Sequence, residues 1–293
     1  MSKFFLLHET KLDSRDIKIK KEALGKGFDL IDIDIYKTLF SGDKIKNIKF
    51  QNSDIVWLTS NALTGHVVLK NFVFPSLAFA WPSAFSIDLI DKFNVATFFS
   101  KNKIETPKTI LINSSESLIS NVKEVGGFPC VIKRTNGSHG SGVAIIKSSQ
   151  EAKAFLEGEH KKSLRNLSLT IKGAMFIAQE FIEDVEGSDY RILCLDGKII
   201  GGIKRTSQTD DFRANISLGG KAEVFSVPED LAKICHKIVE KGRLFYAGLD
   251  FIWSEKKGWL AIEINTCAQF GGFEKTTGIN VARKIVEALS REI

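Results

Sequence analysis

The sequence predicts a mixed chain, a parallel α/β unit followed by α+β units, and two observations carry that reading. Apolar runs alternate with helical patterns through the first hundred residues, the rhythm of a parallel sheet with crossover helices. From Phe128 onward, short apolar runs follow one another across Gly-rich or Asp-Gly turns, which suits antiparallel pairing.

The first unit reads strand KFFLLH, helix SRDIKIKKEALGKG, strand FDLIDID, strand SDIVWL and a helix from Asn61 to Lys70. SIDLIDKFNVATFFSKNK reads as one amphipathic helix capped by Ser86, and Pro107 precedes the strand KTILI. A Ser-capped helix from Ser114 to Val125 comes next. GGFPCVIKR and GVAIIK then read as two strands joined by a glycine-rich turn. SSQEAKAFLEGEH has helix chemistry, whereas residues 159–173 are polar enough for a surface loop. MFIAQEFI, DYRILCL and KIIGGIKR are strands, the last two joined at Asp196-Gly197. VPEDLAKICHKIVEKG is a helix with Pro228 near its start and Gly242 at its end, followed by strands LFYAGLDFIW and WLAIEIN and a closing helix.

Composition narrows the function classes. With 293 residues, 43% hydrophobic and 26% charged, the chain is long enough for two or three packed domains. The start lacks the features of a signal peptide, and no apolar run reaches bilayer length. Cys130, Cys194, Cys235 and Cys267 are scattered without a CxxC pair, so neither zinc nor a disulfide framework is expected, and a cytoplasmic setting follows. The net charge of +6 comes largely from lysines spread over residues 3–49. That spread lacks the clustering of a nucleic-acid footprint, but it favours anionic ligands.

Three groups of residues carry chemistry. Gly137, Gly140 and Gly142 in NGSHGSGV follow the strand that ends near Lys133, where a flexible loop can aim amide N–H groups at phosphate. No Lys-Ser/Thr follows the last glycine, so it is not a Walker A loop. A plain hairpin loop is the alternative. Asp250, Glu263 and Asn265 lie on two consecutive apolar strands, and alternation puts Glu263 and Asn265 on one face. Hard oxygens of this kind suit magnesium. A solvated strand face fits equally well. Arg205, Arg213 and Asn215 fall in one polar stretch where arginines can brace a transferring phosphoryl group or make surface ion pairs.

In order along the chain, GGFPCVIKR, GSHGSGV, IAQEFI, DFRANISLGG and GFEKTTGINVA resemble motifs of the ATP-grasp superfamily, and within it the RimK-like carboxylate-amine ligases. DLIDKF resembles the helix carrying a first ATP-contacting lysine. The resemblance implies an ATP-grasp fold in three parts: an N-terminal α/β domain at 1–86, a central subdomain with the glycine loop at 87–181 and a C-terminal subdomain with the metal site at 182–293. ATP would lie between the last two.

By position, the resemblance assigns Lys92 and Lys133 to the nucleotide phosphates, with Gly140, Ser141 and Gly142 closing over them. It assigns Glu180 and Phe181 to the adenine hinge, Asp189 to the ribose, and Arg213 and Asn215 to the terminal phosphates. Asp250, Glu263 and Asn265 would hold magnesium, a pair of ions for which manganese can substitute. Arg205 and Arg213 would act in catalysis. The implied reaction activates a carboxylate as an acyl phosphate and couples it to an amine on an amino acid, peptide or protein tail, without nucleic acid or membrane. A homo-oligomer is compatible with the resemblance.

Two segments depart from the pattern. NTCAQFGGFEK has no proline where relatives often read N-x-S-P-G or N-x-T-P-G, and the early strand ends in DIVWLTSN rather than Pro-Arg. Gln269-Phe270 resembles the peptide-crosslinking, macrocycle-forming ATP-grasp ligases, which stand as the second reading. A kinase acting on a hydroxyl and a non-catalytic nucleotide-binding module are rivals from other classes. Cys267 is read as a packed small hydrophobe rather than a reactive thiol, and His139 as a solvent-facing loop residue.

Overall fold

A computed structural model describes residues 3–8, 11–38, 40–41, 44–45, 48–59, 63–136, 142–165, 175–185, 187–207 and 221–292. Three main sheets organise them.

The first contains β1 (Lys3–His8), β2 (Asp29–Asp34), β5 (Ile55–Leu58) and β6 (Phe79–Trp81), all parallel in the order β2-β1-β5-β6. A two-stranded ladder, β3 (Phe40–Ser41) and β4 (Lys44–Ile45), lies between β2 and β5 in sequence. β1 is apolar at nearly every position because both of its faces are covered. Phe4 and Leu6 pack with Ile19 and Ala23 of α1 (Ser14–Gly25) on one side, and Phe5 and Leu7 pack beside Val68 of α2 (Leu63–Val68) on the other. A capping box starts α1: Asp13 accepts from Asp16 N, and Asp16 accepts from Asp13 N.

Ser86 does not cap the next helix. Residues 87–90 form a separate 3₁₀ turn, and α3 (Lys92–Lys101) begins after Asp91, whose Oδ1 accepts from Phe93 N at 2.9 Å and Asn94 N at 3.1 Å. Asp91 leaves the helical region and its carboxylate satisfies two N–H groups the helix start would otherwise leave unpaired, so it ends the expected single helix. Ser86 Oγ accepts instead from Ser83 N at 3.0 Å.

The second sheet is antiparallel in the order β7-β10-β8-β9, with β7 (Thr109–Ile112), β8 (Cys130–Arg134), β9 (Val143–Ile146) and β10 (Phe176–Glu180). α4 (Ser115–Asn121), capped by Ser114 as expected, and α5 (Ser149–Arg165) cover it. The surface loop expected over 159–173 is helical in its first part, because α5 continues to Arg165. Glu159 is buried and meets Arg134 at 3.2 Å, so a polar residue here faces a partner and not water. Residues 166–174 lie outside the described residues.

The third sheet runs β13-β12-β11-β14-β15, all antiparallel, from β11 (Ser188–Leu195), β12 (Lys198–Thr206), β13 (Lys221–Phe225), β14 (Tyr246–Ser254) and β15 (Gly258–Asn265). Asp196 (φ +50°) and Gly197 (φ +74°) make the tight β11–β12 turn. α6 (Glu229–Gly242) covers one face, and α7 (Gly271–Thr277) and α8 (Val281–Leu289) finish the chain. Pro228 lies just outside α6 as its N-cap, and the left-handed residue after the helix is Arg243 rather than Gly242. A side chain at Gly242 would come within 3.0 Å of Leu244.

The first and third sheets share one core, in which Phe4, Leu6, Trp57 and Trp81 join Tyr246 and Phe270. Trp57 and Tyr246 pack with ring centroids 5.9 Å apart. The second sheet has its own core of Ile112, Ile132, Leu156 and Phe176. No helix among the described residues is long and apolar enough to cross a membrane.

Candidate active site

Charged side chains from the second and third sheets and from the start of α3 converge on one region. On the third sheet, β14 and β15 pair Asp250 with Glu263 and then Phe251 with Ala261, which leaves Ile262 as an extra residue. This bulge interrupts the alternation between Ala261 and Glu263, while the ladder from Glu263 to Asn265 is regular and keeps those two on one face, as expected. Asn265 lies opposite Gly248 and donates through Nδ2 to Asp250 Oδ2 at 3.1 Å.

Asp250 is 3% exposed, and its charge is compensated by arginines. Arg191 donates from Nε to Oδ1 at 2.8 Å and from Nη2 to Oδ2 at 2.7 Å, and Arg205 Nη2 lies 3.3 Å from Oδ2. Burial alone would raise the Asp250 pKa, but Arg191 and then Arg205 hold it below the usual carboxylate range. Arg205 also makes a two-point contact with Asp189, its cross-strand neighbour, with Nη2 to Oδ2 at 2.8 Å. Burial, reinforced by the Asp250 charge, pushes the Asp189 carboxyl up against the pull of Arg205. Its guanidinium contacts both carboxylates at 3% exposure, so Arg205 is placed to orient them.

Lys133 reaches the same region from β8. Its Nζ donates to Gln179 Oε1 at 2.6 Å, and Gln179, only 4% exposed, passes its own Nε2 hydrogen to Thr109 Oγ1 at 3.0 Å. Burial lowers the Lys133 pKa to about 8, with Glu263 opposing and Lys92 adding to the fall. Lys92 arrives from the first turn of α3, which is tied to the second sheet by Lys92 N donating to Thr135 O at 3.0 Å. Its Nζ is 3.2 Å from Glu263 Oε1.

Seven expected site residues are thus brought together: Lys92, Lys133, Asp189, Arg205, Asp250, Glu263 and Asn265. Glu180 sits at the end of β10, where it is bonded to Lys257 from the β14–β15 turn and accepts from Lys108 N at 3.3 Å, bridging the second and third sheets. Phe181 follows it, half-buried. Gly142 takes φ +74°, and a side chain there would come within 2.8 Å of Arg134. Gly137, His139, Gly140, Ser141, Arg213 and Asn215 lie outside the described residues. Cys267 is no reactive thiol: burial raises its pKa to about 11, and Sγ sits 3.5 Å from Leu58 O.

Two members of the site escape sequence reasoning. Arg191 lies two residues beyond Asp189 on the same strand face, an alternation that could have exposed it. Gln179 stood inside a recognised motif but carried no charge to mark it.

Lys92, Lys133, Arg191 and Arg205 outnumber the carboxylates of Asp189, Asp250 and Glu263, so the region suits a polyanion better than a bare cation. Among the described residues no group of three His, Cys, Asp or Glu side chains forms a metal cage. Magnesium needs no such cage, since it takes one or two carboxylates and completes its shell with phosphates and water. The hard oxygens of Asp250, Glu263 and Asn265 fit an ion that arrives with a phosphate chain.

The fold is shared with solved structures. The RimK domain ATP-grasp protein of Sphaerobacter thermophilus superposes with a TM-score of 0.74 at 16% identity, covering 98% of each chain. The ATP-grasp ligase PsnB, complexed with minimal precursor, Mg and ADP, gives 0.69 at 14% identity over 99% of this chain and 96% of its own. A probable alpha-L-glutamate ligase of Shewanella pealeana is 32% identical over 203 residues, which are 69% of this chain. The match spans 42% of that relative's length, so this chain corresponds to less than half of it. A sequence model of the RimK-like ATP-grasp domain matches residues 90–289, and the chain belongs to that family.

Proposed function

We propose that this protein is an ATP-dependent carboxylate-amine ligase acting on an amino acid, a peptide or a protein tail. The observation that carries the reading is the convergence of Lys92 and Lys133 on Glu263 and Asp250 across two sheets, a cation-rich region with hard oxygen ligands at its edge. ATP is the polyanion that such a region and the family both suit.

In this reading the units are 1–86, 87–181 and 182–293. Lys92 and Lys133 neutralise the phosphates, Gly140, Ser141 and Gly142 cover them, and Glu180 and Phe181 hold the adenine. Asp189 faces the ribose, and Arg213 and Asn215 meet the terminal phosphates. Asp250, Glu263 and Asn265 would hold a pair of magnesium ions, with manganese as substitute. When bound, the metal withdraws charge from the phosphoryl oxygens.

A substrate carboxylate oxygen bonds to the γ-phosphorus while the bond to the β-γ bridging oxygen breaks, releasing ADP and an acyl phosphate. An amine nitrogen then attacks the acyl carbon, phosphate leaves, and the amine loses a proton. The chain's own residues bind, orient and neutralise, and no protein nucleophile is needed. Gln179 and Arg205 act by fixing Lys133 and the paired carboxylates.

The test is a screen of ADP release over amino acids, short peptides and acidic protein-tail peptides, with mass detection of products. The reading expects ADP together with a product joined through an amide. The second reading, a peptide-crosslinking ligase, draws on Gln269-Phe270 and on a fold shared with a structure described as a macrocyclase bound with its precursor peptide. It expects one precursor peptide to lose a water for each new link without gaining mass.

A further inference from the structure

Directly after Asn265 the chain runs Thr266-Cys267-Ala268-Gln269, with neither proline nor glycine to set its path. Three successive carbonyls are held instead by side chains from other elements. Trp81 Nε1 donates to Thr266 O at 2.8 Å, Arg15 Nη1 to Cys267 O at 2.6 Å and Tyr246 OH to Ala268 O at 2.9 Å. Gln269 Nε2 donates to Asp13.

Arg15 is the charged member of this set and is only 4% exposed. Its other Nη donates to Thr59 O beyond β5, and its Nε donates to Asp16 Oδ1 at 2.9 Å. One planar fork therefore ties the first turn of α1, the end of β5 and the segment leaving β15. A lysine, a point charge with no fixed fork, could not hold all three in one plane. A buried charge is tolerated only when paired and hydrogen-bonded, and Asp16 and the two carbonyls meet that condition.

The segment so held begins one residue after Asn265, whose amide lies against Asp250. We propose that Arg15 is a positioning residue for the metal-binding end of the site: through Cys267 O it fixes the exit of β15, and through that exit the orientation of Asn265. The proposal rests on reading Asp250, Glu263 and Asn265 as the magnesium ligands.

The experiment uses the full chain with ADP and MgCl₂ as probes. ADP affinity is measured with magnesium and with EDTA, and their ratio gives the gain due to the metal. Wild type should show a clear gain. No gain in wild type would overturn the metal reading and the proposal with it. Given that gain, Arg15→Lys should lose about tenfold of it while its affinity in EDTA stays at the wild-type value, as expected for a residue behind a metal ligand. An unchanged gain in Arg15→Lys overturns the proposal alone.

The double variant with Asn265→Ala separates positioning from a general structural role. If Arg15 acts through Asn265, Arg15→Lys costs nothing further in that background; additive losses contradict it. Should Arg15→Lys fail to fold, Tyr246→Phe, which lacks only the hydroxyl on Ala268 O, is measured in the same way with the same two outcomes.

Discussion

Arg191 and Asp250 face each other across β11 and β14 and are joined by two hydrogen bonds of 2.8 and 2.7 Å. The pair is enclosed, with side-chain exposures of 16% and 3%. Removing Arg191 takes away both of these bonds and leaves buried Asp250 with Arg205, at 3.3 Å, as its remaining arginine partner. Arg191→Met should therefore lower stability by about 3–5 kcal/mol, read as a fall in the urea midpoint. Adding Asp250→Asn should recover part of that loss; a double variant less stable than Arg191→Met would contradict the pairing.

Lys133 links pH to both stability and binding. Its folded pKa of about 8 lies below the ordinary lysine value of 10.5, so the protonated side chain is held at a cost below about pH 8. Between those values the unfolded chain binds the extra proton, and this group's contribution to stability rises with pH. Compared with Lys133→Met, wild type should gain stability from pH 7 to pH 10 in urea unfolding. ADP affinity should move the opposite way and fall as pH climbs past 8, because the phosphates need the charged lysine. Lys133→Arg, charged throughout, should flatten that binding profile. A wild-type profile that is already flat would rule out Lys133 as a phosphate contact.

Glu263 tests the separation of binding from chemistry. It meets Lys92 at 3.2 Å and sits beside Asp250, so Glu263→Gln keeps the shape and removes one charge. ATP should still bind. Phosphoryl transfer should fall by roughly a few powers of ten, since a weakened metal clamp forfeits several kcal/mol in the transition state. Near-native ADP release at ordinary magnesium concentrations would rule out Glu263 as a metal ligand.

Much of this site was legible because its signals are local. KFFLLH announced a strand of a parallel α/β unit, Asp196-Gly197 a tight turn, and the oxygen-bearing positions of β14 and β15 a cluster that the structure assembles. Long-range pairing left no such trace. Arg191 and Asp250 are 59 residues apart, Lys133 and Gln179 are 46 apart, and Arg15 meets Cys267 across 252, distances at which periodicity is silent. The same blindness explains why buried Asp250 was matched with magnesium alone when arginines compensate it. Ser86 and Asp91 show a subtler failure, since both are good caps and only the backbone turn at Asp91 decides between them. Glu159 was read as a loop residue because its partner, Arg134, lies on another element.

Trapping the acyl phosphate is the most direct test of ligase chemistry. Once the screen identifies an acid, the protein is given ATP, magnesium, that acid and hydroxylamine, with the natural amine left out. Hydroxylamine should intercept the activated carboxylate, so hydroxamate should form in step with ADP and disappear in Glu263→Gln. ADP released without hydroxamate, with phosphate transferred to a hydroxyl of the substrate, would contradict carboxylate activation and assign the site to a kinase.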